Sequence, residues 1–165
     1  ETGDAPTTYR YIDWLITVPL QIIEFYLILI AVRKVPIGIF WRLLIGSLVM
    51  SVGGYCGDAG FIQPFLGFII GVAGWFYILY EIFSGEAGKA VAKSGNKSLV
   101  ISFGALRMIV TIGWAIYPLG YVFGHLTGGI DAESIVIIYN LADFVNKIAF
   151  GVIIWTCAAD NSVKR

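Results

Sequence analysis

The chain has 165 residues, of which 58% are hydrophobic and 13% charged, with no formal net charge and a mean hydropathy of +0.83. That balance excludes an ordinary soluble domain and points to a polytopic membrane protein in a lipid bilayer. No basic tract or zinc-like Cys/His spacing occurs, which argues against nucleic acid as a partner.

The opening residues 1–8 are polar and lack the basic flank and apolar core of a secretory signal. Five apolar stretches follow, at 9–32, 37–57, 61–84, 99–124 and 135–157. Each is long enough to cross a hydrocarbon layer of about 30 Å at roughly 1.5 Å per residue. Short connections make neighbours antiparallel, which predicts an all-α transmembrane bundle forming a single domain over residues 1–165.

The first span carries a polar stripe. At about 100° per residue, Arg10, Asp13, Thr17, Gln21 and Glu24 share a face less than roughly a third of the circumference wide. Asp13 and Glu24 stand about 16 Å apart along the axis. Such a stripe is either an interhelical hydrogen-bond seam, the commoner role of Thr and Gln in membrane helices, or a proton route. Two carboxylates on it favour the second.

The second and third spans read as packing elements, because Gly46, Gly53, Gly54, Gly67, Gly71 and Gly74 let helices approach closely. Arg42 is expected to snorkel to the nearer surface, and Glu81, near the end of the third span, to be solvated. Arg107 lies deeper in the fourth span, where it either snorkels or pairs with a carboxylate. Pro19 and Pro118 interrupt helical hydrogen bonding within their spans.

The fifth span holds Lys147 and, one turn earlier, Asp143. Their i, i+4 spacing puts both on one face, so they can share a pocket. An ionisable pair at that depth is costly. It is either a functional site or an ion pair that only neutralises itself.

Arg33, Lys34, Lys89, Lys93, Lys97, Lys164 and Arg165 fall on one side of the membrane, and Glu1, Asp4, Asp58, Asp131 and Glu133 on the other. The positive-inside rule makes the basic side cytoplasmic, with the amino terminus outside and the carboxyl terminus inside. Cys56 and Cys157 end their spans on opposite sides, so a disulfide between them would have to cross the membrane. Together, Glu24, Lys147, Asp13, Asp143 and Arg10 outline a transmembrane proton route. A pump also needs an energy input that alters one central site, and a lysine condensed with an aldehyde as a Schiff base can receive it.

Three segments carry a resemblance: residues 10–24 (RYIDWLITVPLQIIE), 114–118 (WAIYP) and 140–147 (NLADFVNK). In order, spacing and membrane depth the chain resembles the microbial rhodopsins, and within them the blue-absorbing proteorhodopsin group, over essentially its whole length. The resemblance implies that the five spans correspond to helices three to seven of a seven-helix fold. The first two helices then lie outside this chain, which is expected to be part of a longer polypeptide.

The resemblance further implies a light-driven outward proton pump of the bacterial inner membrane, a transporter rather than an enzyme. Lys147 would bear all-trans retinal as a protonated Schiff base, with Asp13 and Asp143 as counterions. Asp13 would be the primary proton acceptor, Glu24 the cytoplasmic donor, and Arg10 an influence on the acceptor and exit path. Trp14, Thr17, Gln21, Trp114, Tyr117 and Pro118 would line the chromophore. Met50 and Trp75 are either further lining or simple core. Gln21 occupies the colour-tuning position and implies the blue-absorbing type. Family members commonly assemble as homo-oligomers, pentamers or hexamers. One departure concerns the counterion. The family's counterion aspartate usually bonds a histidine on the second helix, whereas His125 lies at the outer end of the fourth span and reads as a surface or interface residue. A photosensor of the same fold and a non-photoactive proton-coupled transporter are the rival functions.

Overall fold

The structure, a computed structural model, describes residues 7–162. Glu1, Asp4, Lys164 and Arg165, used above to assign sides, lie outside the described residues. Seven α-helices follow in order: α1 (Thr7–Val32), α2 (Gly38–Asp58), α3 (Pro64–Phe83), α4 (Glu86–Ala92), α5 (Lys97–Met108), α6 (Ile116–Tyr121) and α7 (Ala132–Ser162). Two π-helical turns, Ile109–Gly113 and Val122–Leu126, flank α6. Five units are long and apolar enough to cross a membrane: α1, α2, α3 with α4, the interrupted stretch Lys97–Leu126, and α7.

Local chemistry sets the ends. Pro64 opens α3 where its missing N–H breaks no helical bond. The Asn96 side chain caps α5 by accepting from the Leu99 N–H at 2.9 Å. Gly60 and Gly95 turn the chain with φ of 77° and 66°, which glycine adopts without a Cβ penalty. Before α7, Asp131 accepts from the Ser134 N–H at 2.8 Å and from its hydroxyl at 2.7 Å. Those bonds hold the Asp131 carboxyl below the ordinary carboxylate range.

α2 and α3 pack most closely. A Cβ on Gly74 would stand 2.6 Å from Met50 N, and one on Gly67 would stand 2.5 Å from Gly57 Cα, so backbone meets backbone. Elsewhere the interior is largely hydrocarbon, with a few buried polar groups such as Gln21, Ser47, Glu81 and Asn146. Phe25, Phe103 and Phe150 are fully buried at the basic-side half, with ring centroids of Phe25 4.9 Å from Phe103 and 5.5 Å from Phe150. The outward faces present Ile45, Ile69, Phe76, Ile101 and Phe144, an apolar coat suited to lipid.

Charged residues depart from expectation at the basic end. Glu81 is not solvated. It is 2% exposed and accepts from Arg42 Nε at 2.9 Å and from the Ala87 N–H at 3.0 Å. Arg42 also bonds Glu86, so the three side chains brace the corner between α3 and α4. A charged residue at the end of an apolar run reads as solvated until the chain folds back over it, as α4 does here. Arg107 pairs with no carboxylate among the described residues. Its Nε donates to the Ile82 carbonyl at 2.7 Å, and its guanidinium lies 5.0 Å and 4.9 Å from the Phe83 and Phe103 rings. Cys56 and Cys157 are both free.

Candidate functional site

Periodicity on α1 and α7 turns two polar faces toward each other. Lys147 Nζ lies 2.5 Å from Asp13 Oδ2 and 3.5 Å from Asp143 Oδ2, one amine between two carboxylates. Asp143 is held from both sides: Trp14 Nε1 donates to Oδ2 at 2.9 Å and the Tyr117 hydroxyl donates to Oδ1 at 2.5 Å. Asp13 has greater exposure, 45% of its side chain against 18% for Asp143. The two carboxylates therefore differ: Asp143 accepts from Trp14 and Tyr117, whereas Asp13 accepts from Lys147 and is the more exposed.

Beside Lys147 lies a cavity of about 870 Å³ including its open mouth. Trp14, Gln21, Met50, Trp75, Trp114, Tyr117, Pro118 and Lys147 line it. Thr17 does not. Its hydroxyl turns back to donate to the Asp13 carbonyl at 3.0 Å, consuming its polarity within α1. Trp75 and Met50 border the cavity from α3 and α2, and Trp75 Nε1 also donates to the Val110 carbonyl at 2.8 Å. Gln21 Nε2 is buried with no hydrogen-bond partner, an unspent donor on the cavity wall. Glu24 is half-buried on the same stripe toward the basic end, outside the cavity lining.

The outer side holds residues whose role sequence reasoning missed. Asp58, read as a loop charge, ends α2 with only 1% of its side chain exposed. It lies 3.7 Å from Arg10 Nη1 and 2.7 Å from His125 Nε2. The histidine contact is close but misdirected, leaving Asp58 Oδ1 without an aligned donor. His125 is thus an exposed residue whose ring reaches a buried carboxylate. Arg10 also lies 5.1 Å from the Tyr139 ring and 5.9 Å from that of Trp14. A smaller cavity bounded by Arg10, His125 and Ile130 continues outward. Nothing local in the sequence signals the burial of Asp58, which depends on Arg10 from α1 and His125 from the fourth span. Tyr139 and Asn146 also border the main cavity, on the α7 face that the i, i+4 and i, i+3 spacing from Asp143 defines. No cluster of His, Cys, Asp and Glu suited to a metal occurs among the described residues.

A model of the bacteriorhodopsin-like protein family matches residues 2–161. The chain is 52% identical over 164 residues to a blue-light absorbing proteorhodopsin of Gamma-proteobacterium Hot 75m4, covering 98% of this chain and 65% of that protein. It is 51% identical over 163 residues to a green-light absorbing proteorhodopsin of Gamma-proteobacterium EBAC31A08, with 98% and 65% covered. The chain thus spans a little under two thirds of the length of these relatives. Among solved structures, a blue light-absorbing proteorhodopsin from Med12 superposes with a TM-score of 0.78 at 48% identity, covering 96% of this chain and 70% of that one. Exiguobacterium sibiricum rhodopsin superposes with a TM-score of 0.85 at 34% identity, covering 98% and 75%.

Proposed function

We propose that this chain, which belongs to the bacteriorhodopsin-like protein family, is the greater part of a light-driven outward proton pump with retinal on Lys147. The observation that carries this reading is a single amine, Lys147 Nζ, between Asp13 and Asp143 at the wall of a cavity bordered by Trp14, Trp75, Trp114 and Tyr117. The group fits. A polyene needs a long apolar slot with aromatic walls, and its aldehyde needs one accessible amine beside a counterion. When bound, retinal supplies light absorption and an isomerisation that changes the proton affinity of the Lys147 nitrogen.

The chain's own residues do the rest. Asp143, fixed by Trp14 and Tyr117, keeps a negative charge opposite Lys147. Asp13, in direct contact with Lys147 Nζ and without such donors on its carboxylate, takes the proton. Glu24 returns one from the basic side, which we assign as cytoplasmic. Arg10, paired with Asp58, sets the field on the outward path. The amino terminus lies outside, the carboxyl terminus inside, and the protein resides in a bacterial inner membrane. Gln21 on the cavity wall and the likeness to a blue-light absorbing relative support blue absorption. Assembly as a homo-oligomer, a pentamer or hexamer, belongs to the same proposal.

The test is spectroscopic and then electrochemical. Protein produced with all-trans retinal is expected to show a visible band that hydroxylamine bleaches and that Lys147→Ala abolishes. Illuminated cells are expected to acidify their medium, with a protonophore cancelling the change. No band rejects retinal binding and leaves a non-photoactive transporter; a band without acidification points to a photosensor.

A further inference from the structure

Pro118 has no N–H, so the Trp114 carbonyl four residues back loses its usual helical donor. The Tyr117 N–H turns to that carbonyl instead, at 3.2 Å. This in turn frees the Gly113 carbonyl, at the end of the first π turn. Asn146 Nδ2 takes it at 3.1 Å. The same nitrogen stands 3.5 Å from the Tyr117 hydroxyl oxygen, at the limit of a hydrogen bond, and that hydroxyl donates to Asp143. Asn146 is 7% exposed and immediately precedes Lys147. Gly113 makes room for it, since a methyl group there would overlap Asn146 Oδ1.

We infer that Asn146 is a positioning residue for proton transport, tying the broken fourth span to the Lys147 turn of α7 and to the Tyr117–Asp143 hydrogen bond. The argument is one of backbone accounting. A buried carbonyl released by a proline must find a donor, and here the donor comes from the residue beside the reactive lysine. The titratable groups around this contact are Asp13 from α1, Tyr117 from α6, and Tyr139, Asp143 and Lys147 from α7, with Tyr11, Asp58 and Tyr121 farther along the same cavity; the residues of α3 that border it, Trp75 among them, carry no charge. A donor to the Tyr117 oxygen polarises its O–H toward Asp143, so Asn146 supports the carboxylate's charge through one intermediary. Movement of the fourth span about its π turn would then be felt at the counterion, and a change at the counterion would be felt by the fourth span.

This rests on retinal being bound at Lys147, and the experiment separates the two. Unmodified protein, Asn146→Ala, Gly113→Ala and the double variant are loaded with retinal. The pH of the acid colour transition and the recovery of the band after a flash are then recorded. Each single variant is expected to raise the transition by about half to one pH unit, the scale of one hydrogen bond, and to slow recovery several-fold. The double variant is expected to match either single rather than their sum, because one contact is lost once. Singles that leave both readouts unmoved, or effects that add, overturn the role of Asn146. If Asn146→Ala takes up no retinal, Gly113→Ala, a change of one methyl, decides the matter alone. No visible band in the unmodified protein would instead sink the retinal reading.

Discussion

α2 and α3 meet because side chains are missing, whereas α1 and α7 meet because particular side chains are present. Gly67 and Gly74 bring two backbones together with no side chain between them at those points. Across α1 and α7 the contacts are Lys147 to Asp13 and Trp14 to Asp143. The first pair is a wall whose only requirement is shape, and the second is a seam whose chemistry is the product. Substitutions should therefore divide: those in the seam alter transport and colour, those in the wall alter stability.

The sharpest break is Asp13→Asn. Outward proton movement under light is expected to fall by at least about 100-fold, the scale of losing a positioned acid–base group, while the visible band persists. The wall responds differently. Gly74→Leu forces a side chain against Met50 N and the Gly46 carbonyl, at 2.6 and 2.9 Å from the new Cβ. Overpacking of this kind costs about 1–3 kcal/mol. Thermal loss of the visible band should occur at lower temperature, with the band's position kept by the protein that remains folded. A milder test of the seam is Gln21→Leu. The band is expected to move to longer wavelength, and thermal stability to hold or rise slightly, because an unpartnered buried amide nitrogen is removed.

The smallest effect belongs to neither region. The folded Asp131 carboxyl lies below its ordinary range because Ser134 donates to it. Its contribution is present above the unfolded aspartate value of about 3.9 and is lost as pH falls through the lower folded value. Asp131→Ala should lower stability slightly at neutral pH, with the difference from the unmodified protein disappearing as pH falls through the folded value, as followed by thermal unfolding from neutral to acidic pH.

Much of this division was legible in the sequence. The period of α1 alone puts Asp13, Gln21 and Glu24 on one stripe, and the four-residue spacing puts Asp143 beside Lys147. The glycines of α2 and α3 announce close packing. What escaped depends on contacts between distant segments. Asp58 and Glu81 sit at the ends of apolar runs, where a charge ordinarily meets water, and only the approach of Arg10 with His125 or of Arg42 buries them. The π turns escaped as well. Pro118 predicts an interruption, but Pro19 sits within an α1 that remains α-helical throughout. The fourth span takes a different course because Trp75, Tyr139 and Asn146 accept the cost of its irregular carbonyls.

Phe25, Phe103 and Phe150 meet edge to face between the level of Lys147 and the basic end. Three rings without a donor or acceptor give water no foothold, so hydrogen ions have nothing to hop across there at rest. The trio is a dry plug of hydrocarbon at that level, and on the proposed function a proton passing from Glu24 to Lys147 would have to cross it.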